Sequence, residues 1–246
     1  MNKKTILVSG CSFTFEHWCW PTFTTNELET NLINVGLASQ GNGLISKKLI
    51  YNVDKFLKSN SNEDLVVGVM WSGIDRHDFH IDEEIKLVNI DGWIENPTKI
   101  VDDKNLNSSW LIVNHHWKTP QSKIWYENYH TDMGALIFTI QNIVFTQMYL
   151  EKNKVKYFMT TFMDIFKPFN YLLNHPEIKY LYDLIDFDKF LQIDGCHEWV
   201  KENYGNNGGF NLPDNKGYQG YHPTEFGHKR FANEVIVPYI KEKKLL

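Results

Sequence analysis

Four short apolar segments, rich in β-branched residues, constrain this chain more than any other feature. They are Thr5–Ser9, Leu32–Gly36, Leu65–Trp71 and Val155–Phe162. Such runs, bounded by turn residues, read as strands buried on both faces, the condition of a parallel sheet. Between the second and third, Leu44, Ile45, Leu49, Val53, Phe56 and Leu57 fall at helical spacing. Strand, helix and strand in that order predict right-handed βαβ units and a three-layer, doubly wound parallel α/β sheet.

At 246 residues the chain fits one domain spanning 1–246. The rhythm breaks at about 75–130, a stretch rich in Asp, Asn, Trp and His that predicts a loop-rich insertion with a short hairpin around NIDGW. Thr131–Lys152 reads as a long helix with Leu136, Ile140, Val144 and Met148 on one stripe. Asn174–Leu191 reads as helical in part. A last helix is expected to begin near Pro223 and run through Phe231 and Val235, with Pro238 ending or kinking it.

A net charge of −5 argues against a nucleic-acid partner. Three cysteines give no disulfide framework, and the apolar run behind MNKK is too short for a signal peptide. No stretch reads as a membrane span, so a cytoplasmic chain without a membrane partner is expected. His77, Asp78, His80, His115 and His116 match no zinc spacing. Neither metal nor cofactor is expected.

The chemistry concentrates at two places. Gly10-Cys11-Ser12 closes the first strand, where open α/β sheets bind ligands. His222, ahead of Pro223, lies in the loop entering the last helix, which a parallel sheet can bring to the same edge. A serine hydroxyl becomes nucleophilic when an imidazole accepts its proton. Taken alone, Ser12 also fits a helix cap or an anion-binding turn, although the loop lacks the glycine spacing and lysine of a phosphate loop.

These blocks resemble the SGNH (GDSL-type) hydrolases, whose fold is flavodoxin-like. Gly10-Cys11-Ser12 stands where that family has Gly-Asp-Ser. In NVGLASQGNG, Gly41 matches the glycine that donates a backbone N–H to the oxyanion, with Gly36 and Gly43 as rivals. His222, Pro223, Gly227 and His228 match the final block. The resemblance implies a serine esterase acting on a small-molecule or glycan ester such as an O-acetyl carbohydrate, with Ser12 as nucleophile and His222 as base.

Three positions depart from the family. Cys11 replaces an aspartate. MWSGIDR lacks the third-block asparagine, leaving Ser72, Gly73 or Arg76 as stand-in donors. Gln219 stands where the triad aspartate is expected, so Asp194, Asp214, Gln219 or a backbone carbonyl is left to orient His222. The departures also suit a catalytically silent member that binds glycan or serves a structural role, including in a virion.

Overall fold

The computed structural model describes residues 3–81, 100–103, 108–115, 119–210 and 222–246. Three apolar segments form β1 (Thr5–Ser9), β2 (Asn31–Asn34) and β3 (Leu65–Trp71). An excursion follows with β4 (His77–Ile81), β5 (Ile100–Asp103) and β6 (Ser108–Val113). The fourth segment then returns as β7 (Lys156–Thr161). β2, β1, β3 and β7 make one parallel sheet in that order, with Leu7 paired to Ile33 and Val67, and Val69 to Met159. Beyond β7 the described residues add an isolated parallel bridge to this sheet, Phe190 to Met159, and an isolated antiparallel one between Phe210 and Pro223.

The helices are α1 (Ser12–Phe15), α2 (Trp20–Glu27), α3 (Asn42–Leu57), α4 (Pro120–Asn128), α5 (Asp132–Lys152), α6 (Asn170–Leu173), α7 (Pro176–Tyr182), α8 (Cys196–Tyr204), α9 (Glu225–Phe231) and α10 (Val237–Glu242). The period-2 alternation of β3 divides its buried residues between two cores. Leu65, Val67, Val69 and Trp71 pack with Ile45 and Leu49 of α3, Leu136 and Ile140 of α5, and Ile178 of α7. Val66 and Met70 pack with Trp20 of α2, Val200 of α8 and Phe231 of α9. This is the expected three-layer arrangement. At about 1.5–3 kcal/mol for each fully buried aliphatic side chain, these two cores supply the main driving force for folding.

Thr131 caps α5, its Oγ1 accepting the Gly134 N–H at 3.0 Å. α5 is long and apolar enough to cross a membrane by length and composition. Its Leu136, Ile140, Ile143 and Leu150 are, however, buried in the core shared with α3. The expected stripe holds as far as Val144, whereas Met148 is exposed. The burial instead continues at Gln147 and Leu150, because the true 3.6-residue period drifts off a strict i+4 series.

Two further expectations gain detail. The 75–130 segment is more regular than a set of loops, for β4, β6 and β5 form an antiparallel sheet and α4 follows it. NIDGW lies outside the described residues. Of the two outcomes expected at Pro238, an end is excluded, since α10 continues to Glu242, and the helix instead carries an irregular π-turn over Ala232–Ile236 just ahead of it. A proline inside a helix lacks a donor and crowds the preceding turn, and the widened turn absorbs both.

Candidate active site

β1 stops at Ser9, and Gly10 turns the chain where a side chain would overlap Thr14 Oγ1 and lie 3.0 Å from the Met70 carbonyl. The Cys11 carbonyl then accepts N–H bonds from Thr14 (2.9 Å) and Phe15 (3.1 Å), which winds the short α1. The Cys11 side chain points into the core beside Val8 and Trp20, so its role is packing rather than substrate contact. Ser12 opens α1, half-buried at the C-terminal edge of the sheet.

His222 meets it there, 210 positions along the chain, with Nε2 2.7 Å from Ser12 Oγ. The start of α9 fixes the imidazole. Thr224 caps α9 by accepting the Gly227 N–H (3.1 Å), and its own N–H donates to the Gly209 carbonyl (2.9 Å). A side chain at Gly227 would fall 2.6 Å from that carbonyl and 2.8 Å from Val200 Cγ1, so glycine permits the close approach of α9 to α8. The buried ring of Phe13 lies 4.7 Å from the His222 ring and braces it.

Burial, then the charge of Arg76, then His197, hold the His222 imidazole below its ordinary 6.5, so it is neutral at pH 7. Among the described residues no carboxylate bonds to it. Asp194 faces solvent and pairs with Lys167 at 3.3 Å, which removes it from the orienting role considered from sequence. Its Asp-Gly-Cys-His run is instead the entry to α8. There Gly195 has φ +143°, and a side chain would sit 2.8 Å from the Met163 backbone. Asp214 and Gln219 lie outside the described residues.

The expected oxyanion donors are largely committed elsewhere. The Gly41 N–H donates to Asp78 Oδ1 at 2.8 Å, and Leu44 N–H to Asp78 Oδ2 at 3.0 Å. Gly41 is therefore the N-cap position of α3, capped by a carboxylate from β4, and its N–H does not face an oxyanion. Burial pushes the Asp78 carboxyl up to about 6, against those two bonds and the charge of Arg76. Ser72 is likewise tied down. Its N–H donates to Asn42 Oδ1 at 2.8 Å, and its carbonyl accepts from Asn42 Nδ2 at 3.1 Å.

Gly73 accepts the Arg76 N–H at 3.3 Å, closing a turn that brings Arg76 back over the sheet edge. The Arg76 guanidinium lies 5.2 Å from the Phe162 ring centroid, and no ion pair with Asp75 forms. Free donors come from another loop. Residues 36–40 are pinned to the Gly10 carbonyl by the Leu37 N–H (3.0 Å) and Gln40 Nε2 (2.6 Å). Within it Ser39 adopts φ +69°. The N–H groups of Ser12, Ala38 and Ser39 meet no acceptor among the described residues. Nothing in the sequence marks Ser39, because serine is uncommon in that conformation.

His228, one turn into α9, is sealed 3.7 Å from Cys19 Sγ, and burial drives its imidazole down to about 3. Trp18 rests against it, 5.5 Å between ring centroids. His77 stacks on Trp125 at 4.5 Å, His80 is exposed, and His116 lies outside the described residues. Among the described residues no three His, Cys, Asp or Glu side chains gather where a metal could bind.

A family described as one of unknown function, DUF6071, matches residues 8–246. No curated protein sequence matches the chain. Among solved structures it is similar to the psychrotrophic esterase EstA from a Pseudoalteromonas species, with a TM-score of 0.49, 11% identity and 98% of each chain covered. It is also similar to a Desulfitobacterium hafniense protein assigned to the G-D-S-L lipolytic family, with a TM-score of 0.47, 11% identity and both chains fully covered. A GDSL-like lipase from Bacteroides thetaiotaomicron gives a TM-score of 0.42 and 14% identity, over 99% of this chain and 89% of its own.

Proposed function

We propose that this chain, which belongs to the DUF6071 family, is a serine ester hydrolase with Ser12 as nucleophile and His222 as its base. The observation that carries the reading is the 2.7 Å contact between Ser12 Oγ and His222 Nε2. With its proton on Nδ1, the neutral imidazole accepts the hydroxyl proton at Nε2 as Oγ attacks the ester carbonyl. His222 then returns that proton to the leaving alkoxide, and a water repeats the sequence on the acyl-enzyme. The Ser12 N–H and the free N–H groups of Ala38 and Ser39 are the donors offered to the oxyanion.

The resemblance of the ordered blocks to SGNH hydrolases implies an ester substrate such as an O-acetyl carbohydrate. A silent, ligand-binding protein is the second reading, favoured by the lack of a carboxylate on His222 among the described residues. An alkyl fluorophosphonate distinguishes them. Labelling of the wild type that disappears in Ser12→Ala supports the hydrolase, whereas an unlabelled wild type supports the silent reading.

A further inference from the structure

Near enough to the Ser12–His222 pair for its charge to act on His222 lies a guanidinium that makes no ion pair among the described residues. Arg76 Nε and Nη1 are withdrawn from solvent and meet no hydrogen-bond acceptor among the described residues. A guanidinium held this way has lost water without gaining an acceptor, a costly arrangement unless an anion completes it. A run of rings ties it to the site: Arg76 lies 5.2 Å from Phe162, Phe162 5.2 Å from Phe13, and Phe13 4.7 Å from His222.

Asp78 is the obvious structural partner, yet its two oxygens already accept the Gly41 and Leu44 N–H groups, and no ion pair joins it to Arg76. Asp75 makes none either. Two imidazoles, His197 and His228, also interact with His222, and His197 Nδ1, 3.9 Å from Glu198 Oε1, makes no hydrogen bond among the described residues. The charge that acts on the imidazole is thus that of Arg76, whose Nε and Nη1 are unfilled among the described residues.

We infer that Arg76 receives a carboxylate of the substrate, making the preferred substrate an ester that bears a carboxylate near the scissile bond. The inference rests on the proposed Ser12–His222 site. Guanidinium and carboxylate match as planar forks, which suits an acylated hydroxy acid or acidic sugar better than a neutral ester. An arriving carboxylate would also offset the Arg76 charge that lowers the basicity of His222, so the correct substrate strengthens its own base.

The test measures binding in Ser12→Ala protein, where turnover cannot interfere, by ligand-observed NMR titration. The probes are 2-acetoxypropanoate and its neutral methyl ester. The anion is expected to bind at least about tenfold more tightly, as charge-assisted hydrogen bonds require, and the preference is expected to vanish on adding Arg76→Gln. Equal affinities, no binding of either, or a preference that survives Arg76→Gln each overturn the inference. If Arg76→Gln fails to fold, Arg76→Lys decides, since an ammonium keeps charge but loses the fork and is expected to retain only part of the preference. Fluorophosphonate labelling of the wild type separates the two readings. Labelling without anion preference refutes only this one, while anion preference without labelling refutes the hydrolase and leaves an anion site.

Discussion

Ser12 and Ser72 each follow a fully buried strand at the same edge of the sheet, and neighbouring residues give them opposite fates. Ser12 leaves β1 through a glycine turn and presents Oγ to an imidazole from the far end of the chain. Ser72 leaves β3 into the side chain of Asn42, which holds both its N–H and its carbonyl. The Ser72 hydroxyl is fully buried and has no hydrogen-bond partner among the described residues. A serine at a strand end therefore says where chemistry can occur, and the loop opposite decides whether it does.

The largest expected effect tests the reactive member. Ser12→Ala and His222→Ala should each lower p-nitrophenyl acetate hydrolysis by a factor on the order of 10³ or more, since each removes half of one proton-transfer unit. Equal rates in the wild type and both variants would erase the distinction between the two serines. Asn42→Ala tests the latched member. It leaves the Ser72 N–H, the Ser72 carbonyl and Thr139 Oγ1, which accepts from Asn42 Nδ2 at 3.1 Å, without their partner. The expected loss is about 2–4 kcal/mol in urea unfolding, with a lowered midpoint and an unchanged slope.

Acid should separate the two sites again. The pair at Ser12 contains a titrating base, whereas the Asn42–Ser72 latch contains none. Because His222 titrates below 6.5, hydrolysis should persist under pH 6.5 and then fall about tenfold per pH unit below its depressed pKa. Stability has to be followed alongside. His228 is held neutral down to about pH 3 but titrates near 6.5 when unfolded. The unfolded chain therefore binds the extra proton first, and the stability His228 contributes is complete above pH 6.5 and drains away towards pH 3. Asp78 has the opposite sign: its carboxyl is raised from 3.8 to about 6, so its contribution is lost as pH rises across that interval. A rate that falls while circular dichroism stays constant assigns the acid limb to His222.

Much of this was legible in the sequence, and the boundary is physical. The four apolar runs became the four parallel strands, and burial on both faces leaves its continuous pattern on β1, β3 and β7, whereas β2 at the sheet edge is only half-buried. Ser12 and His222 could be paired in advance because strand order in a wound sheet brings both loops to one edge. Gly41 could not be placed correctly, since the group that claims its N–H is Asp78, on a strand of the insertion. Capping by a residue 37 positions away leaves no local mark. Asn42 leaves no local mark either, nor do Arg76 Nε and Nη1, whose lack of an acceptor among the described residues only packing reveals.

The smallest expected effect is the sharpest test of the comparison. Ser72→Ala removes a hydroxyl that is buried without a partner, while the backbone N–H that Asn42 holds remains. An unsatisfied buried hydroxyl costs about 1–3 kcal/mol, and the void left by one oxygen returns part of that in lost contacts. Urea unfolding should therefore find the variant between equal to the wild type and about 1 kcal/mol more stable. Hydrolysis should be unchanged, because the lost group touches neither Ser12 nor His222. A tenfold fall in rate with stability intact would mean that the Ser72 hydroxyl reaches the reacting ester. The two serines would then belong to one site, and the latch around Ser72 would be part of the catalytic machinery.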